Sequence, residues 1–98
     1  MIRHIVLFIW KADATDEQKQ LVVSELSALS KTVPGIRAYH FGADAGIGAA
    51  GNAEFALTAD FDDADAYLVY RDHPAHLEVL DKAIKPILER RVAAQLEI

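Results

Sequence analysis

No cysteine occurs among the 98 residues. Disulfides, thiolate-ligated zinc and a cysteine nucleophile are thereby excluded. Tryptophan and methionine appear once each, and no cluster of Lys or Arg marks any segment. Ten basic residues face fifteen acidic ones, for a net charge of −5. Nucleic acid and anionic membrane surfaces need counterion-releasing basic patches, so neither is expected as a partner. The apolar run from Ile5 to Trp10 is too short for a signal-peptide core or a membrane span. A soluble cytoplasmic protein is the expectation.

What is present suits one globular domain spanning residues 1–98. Hydrophobic residues make up 52% of the chain and charged residues 26%, enough apolar material for a single core. The stretch "IRHIVLFIW" (2–10) is rich in β-branched residues and reads as a strand. Its even positions (Ile2, His4, Val6, Phe8, Trp10) and its odd positions Ile5, Leu7 and Ile9 are both largely apolar, so both faces call for burial. "TDEQ" (15–18) is a capping box, and Val22, Leu26 and Leu29 recur at helical spacing up to about Ser30. Pro34-Gly35 closes that helix and opens a strand at 36–42. A third strand, 54–61, aligns Phe55, Leu57, Ala59 and Phe61 on one side.

Asp62 to Asp65 form the acidic first turn of a second helix, expected to run to about Tyr70. Their spacing does not fit an EF-hand loop, and capping explains them. Pro74 starts a further helix carrying Leu77, Leu80, Ile84 and Ile87, which Pro86 should end. Residues 91–98 read as the last strand. The order strand–helix–strand–strand–helix–strand predicts an α+β, ferredoxin-like β-α-β-β-α-β domain with its helices on one side of an antiparallel sheet. The two-faced first strand then needs a cover that the chain does not supply. A second copy, packed through the face carrying Ile5, Leu7 and Ile9, is the expected solution.

"GIGAAG" (46–51) satisfies the dinucleotide fingerprint G-x-G-x-x-G as a string. Its context fails, because a strand rather than a helix follows Gly51. The stretch reads as a hairpin connection instead. Chemistry concentrates in "YRDHPAH" (70–76). His76 falls in the first turn after Pro74, where the positive helix end disfavours imidazolium and keeps a neutral base. Tyr70 lies at the end of the preceding helix, within reach of polarising a carbonyl. His4 shares the strand face of Val6 and Phe8 and meets this pair if that face looks toward the helices. Blander roles stand beside these: His73 as a solvated cap, His76 as a surface residue, and His4 as a hydrogen-bonded core histidine. His73 and His76 at i, i+3 are a possible metal pair, but only Asp72 is nearby, and neither a metal nor a cofactor is expected. No partner for His40 is evident.

"MIRHIVLF", "VPGIR", "FALTADFDDADAY" and "YRDHPAH", taken in order along the whole chain, resemble the stress-responsive A/B barrel domain (Dabb) family. The resemblance implies a ferredoxin-like fold whose sheets pair into a dimeric α/β barrel. A plant polyketide cyclase of that family carries the pattern Tyr-x-x-His-Pro-x-His, matched here by Tyr70, His73, Pro74 and His76, and a first-strand histidine matched by His4. By that analogy His76 is the base, with Tyr70 and His4 positioning or polarising the substrate. Residues 43–52 would border the partner's cavity. The first helix here carries Val22, Val23 and Leu26 where the cyclase has aromatic residues, so the pocket walls and the substrate should differ. Three functions remain open: a cofactor-independent cyclase or lyase, a non-catalytic ligand-binding or stress-associated structural dimer, and a cofactor-free monooxygenase. The last would want an activating aromatic or asparagine near the site, for which only Trp10 and Asn52 are available.

Overall fold

A computed structural model describes residues 1–48 and 50–98. The apolar, β-branched run becomes strand β1, Ile2–Trp10, and the capping box opens helix α1, Asp16–Thr32. Thr15 accepts the Gln18 amide at 3.2 Å and the Gln18 side chain accepts the Thr15 amide at 2.9 Å. Strands β2 (Ala38–Ala43) and β3 (Phe55–Phe61) follow, then helices α2 (Ala64–Asp72) and α3 (Pro74–Val79). Strand β4, Leu88–Glu97, completes an antiparallel sheet in the order β2-β3-β1-β4. This is the ferredoxin-like α+β arrangement.

Register assigns each residue its face. His4, Val6 and Phe8 of β1 stand opposite Ala59, Leu57 and Phe55 of β3, and these positions turn toward the helices. Val22, Leu26 and Leu29 of α1 close the core against them. The other side carries Ile5, Leu7 and Ile9, flanked on β4 by Ala94 and Val92. No helix covers it, and Leu7 is 39% exposed, Val92 47% and Leu96 50%.

Several boundaries differ from the sequence reading. Strand β2 begins two residues later than expected, at Ala38, after Arg37 spends its amide on the Asp60 carbonyl at 2.8 Å. The segment after Pro74 is not one helix. Six α-helical residues widen into a π-helical turn at Leu80–Ile84 and then tighten into a 3₁₀ turn at Lys85–Ile87. Pro86 sits inside that last turn, where its missing N–H costs least. Strand β4 starts at Leu88, three residues earlier than the predicted 91, because a register shift between Ile9 and Trp10 lets Leu88 pair with Trp10.

The GIGAAG stretch lies in the connection between β2 and β3, and β3 follows it with no helix between. Gly48 and Gly51 adopt φ of 98° and 95°, a region where side chains are strained, so the glycines serve the turn. Ala49 of this stretch lies outside the described residues, and so the rim expected at 43–52 is described only in part. No helix among the described residues is long and apolar enough to cross a membrane.

Candidate functional site

On β4 the alternation places Arg91, Ala93 and Gln95 on the helix side, opposite Phe8, Val6 and His4. All three are nevertheless exposed, because the helical layer stops short of this edge strand. The gap is a cavity of about 310 Å³ between β1, β4 and the segment from α2 to the 3₁₀ turn. That volume lies at the lower end of the range typical of small-molecule sites. Val6, Phe8, Leu26 and Leu57 form its apolar floor.

His4, Tyr70 and His76 all line this cavity. The Tyr70 and His76 rings lie against each other, tilted by 33°, with centroids 4.4 Å apart, and the His4 ring centroid lies 6.2 Å from that of Tyr70. His73 lines none of it; it is the cap between α2 and α3, its Nδ1 accepting the Ala75 amide at 3.0 Å. Pro74 forces that break, since it cannot continue α2 and instead starts α3.

Hydrogen bonds set the state of each histidine. His76 Nδ1 lies 2.9 Å from the Arg71 carbonyl oxygen, which can only accept, so Nδ1 carries the hydrogen. In the neutral ring Nε2 is then the free lone pair. His4 Nδ1 sits 2.8 Å from the Gln95 Oε1, which selects the same tautomer. Burial lowers the pKa of both rings, only partly offset by these bonds, and the positive charge of Arg91 lowers both further. The helix end, invoked from the sequence for His76, is not the leading cause; α3 is only six residues long, and desolvation dominates.

Tyr70 is 1% exposed, and its hydroxyl lies 2.9 Å from that of Tyr39. Burial pushes the Tyr70 phenol up to about 12 and raises Tyr39 as well. Both stay protonated at neutral pH. Tyr67 and Arg91 were missed from the sequence. Tyr67, three residues before Tyr70, also lines the cavity and packs against His4 at 5.1 Å. An i, i+3 tyrosine pair on one helix face was the available signal. Arg91 offered none, since its direction depends on where β4 begins.

Trp10 stacks with Phe8 at 5.3 Å, and Asn52 bonds the Ile47 carbonyl in the β2–β3 connection. Neither lines this cavity. His40 is exposed on the bare sheet face opposite Thr58. Asp63 caps α2 through the Ala66 amide, as the acidic turn suggested. Among the described residues, no group of three or more histidines or carboxylates is placed to hold a metal ion.

A four-stranded antiparallel sheet with helices on one face, and a cavity between them, defines a ferredoxin-like domain. Residues 2–98 match the profile of the stress responsive A/B barrel domain, Dabb. The chain belongs to that family. A dimeric ferredoxin-like protein of unknown function from Thermobifida fusca is 44% identical, with a TM-score of 0.90 over 99% of this chain and 90% of that one. A second dimeric ferredoxin-like protein, from Bacteroides fragilis, is 27% identical with a TM-score of 0.80, covering 99% and 95% of the two chains. The hydroxynitrile lyase of Passiflora edulis shares the fold at 22% identity and a TM-score of 0.85, covering 99% and 92%. A search of curated protein sequences finds no match.

Proposed function

We propose that the chain forms a homodimer through the sheet face carrying Ile5, Leu7 and Ile9, and that each cavity binds a small organic molecule on which His76 acts as a general base without a cofactor. The hydrogen bond from His76 Nδ1 to the Arg71 carbonyl carries this reading, because it holds the ring in place and leaves Nε2 as a proton acceptor at the cavity. A lowered pKa keeps that nitrogen unprotonated at neutral pH. Proton transfer from a carbon acid or hydroxyl to Nε2 leaves an electron pair that resides as an enolate or alkoxide. Its oxygen needs a donor, and Tyr70 supplies one when it accepts from Tyr39 and keeps its own proton free. His4, with Nδ1–H bonded to Gln95, presents an acceptor that positions a substrate hydroxyl. A hydroxynitrile lyase is built on the same fold, which is compatible with a lyase here.

The dimer reading rests on the exposed Leu7, Val92 and Leu96 and on the dimeric relative at 44% identity. A ligand-binding dimer without catalysis is the second reading. It is favoured by the Tyr39–Tyr70 bond, which also suits a phenol serving only the core. Native mass spectrometry of freshly purified protein is expected to report a dimer with a retained ligand. Replacement of His76 by Ala is expected to reduce turnover of that compound by roughly 10²–10⁴-fold. Unchanged turnover removes His76 as the base, and a monomer at micromolar concentration removes the dimer.

A further inference from the structure

We infer that Arg91 is an anion anchor and that the molecule bound in this cavity carries a carboxylate; this rests on the reading of the cavity as a binding site. The chain as a whole is acidic, with a net charge of −5. Its cavity is not. Arg71, Lys85 and Arg91 line it against a single carboxylate, Asp72. Two of those cations are already paired. Arg71 reaches Asp72 through two bonds of 2.9 and 3.1 Å, and the Lys85 Nζ lies 2.9 Å from Asp81. Arg91 has no carboxylate within ion-pair distance among the described residues.

Its position follows from the ladder. Arg91 stands opposite Phe8, whose side chain faces the core, so the guanidinium is delivered to the helix side of the sheet. Its field reaches both His4 and His76, holding each toward the neutral form. An unpaired guanidinium beside two neutral imidazoles and an apolar floor is complementary to a small organic acid. The carboxylate meets the planar fork of Arg91, and the hydrocarbon part lies against Phe8 and Leu57. Neighbouring Arg90 pairs with Ile9 and therefore belongs to the opposite face of the sheet. The exposed Lys31 of α1, outside both the cavity and that face, is a control of equal charge.

The experiment compares 3-phenylpropanoate with the isosteric 3-phenylpropanamide, titrated into the intact protein and read by the imidazole NMR signals of His4 and His76. The acid is expected to bind about tenfold more tightly than the amide, an advantage that Arg91→Gln removes and Arg91→Lys keeps in part. Lys31→Gln is expected to leave the advantage intact. Equal affinity for the two compounds, or an advantage that survives Arg91→Gln, overturns the role of Arg91 while leaving the cavity a binding site. If neither compound perturbs the histidines, the cavity reading itself fails and this inference falls with it.

Discussion

The two faces of the sheet are built from the same strands by the same alternation, yet only one is packed against helices within the chain. On the helix side Val6 and Phe8 are buried, while their neighbours Ile5, Leu7 and Ile9 look outward and Leu7 remains 39% exposed. The difference lies in partners, not residue type. A face becomes core only when another layer is brought to it, and α1 with the α2–α3 segment covers one side only. The helix side is itself incomplete along β4, and there the uncovered strip becomes a cavity. Shape distinguishes them: the bare face is an open sheet surface that exposes Leu7, Val92 and Leu96, whereas the gap beside β4 is concave and is lined by His4, His76 and Arg91.

The largest effect is expected on the helix-covered face. Phe61 is fully buried, and Phe61→Ala should lower the stability of the fold by about 3–5 kcal/mol, measured by chemical denaturation. On the bare face Leu7→Asp should leave the protomer folded but raise the dimer dissociation constant by roughly a hundredfold, followed by sedimentation at several concentrations. If Leu7→Asp instead unfolds the chain at every concentration, the two faces are not separable as described. Tyr39→Phe should cost about 1–2 kcal/mol, because it leaves the buried Tyr70 hydroxyl without its partner.

The smallest expected effect is on pH dependence. His4 and His76 have folded pKa values below the ordinary value of 6.5, so the unfolded chain binds their protons more tightly. Their contribution is fully present above pH 6.5 and is lost as pH falls below it toward the folded values. Carboxylates such as Asp60, held low by Arg3, lose theirs only in more acid solution. A thermal melting temperature that declines between pH 6.5 and 5, with part of the decline removed in His4→Gln/His76→Gln, would assign this window to the cavity. An unchanged decline in the double variant would assign it elsewhere.

Strand β1 and the start of α1 were legible because their signals are local. The near-continuous, β-branched apolar run from Ile2 to Trp10 needs no distant residue to become a strand, and Thr15 and Gln18 satisfy each other within one turn. The α3 segment was legible only as apolar spacing, since the choice of α, π or 3₁₀ winding depends on what each turn packs against. The candidate site was half legible. His4, Tyr70 and His76 could be grouped from strand phase and the His-Pro break. The Tyr39 partner of Tyr70, by contrast, comes from a strand 31 positions away.

Order of elements, the shared face of Phe55, Leu57, Ala59 and Phe61, and the rejection of GIGAAG as a nucleotide site were all contained in the sequence, because periodicity and turn chemistry act over a few residues. Tertiary structure alone decided that β4 starts at Leu88, that Arg91 enters the cavity, and that His76 is kept neutral chiefly by burial. Each depends on register, layer coverage or desolvation. These belong to the packed assembly of distant segments, and no short stretch of the chain encodes them by itself.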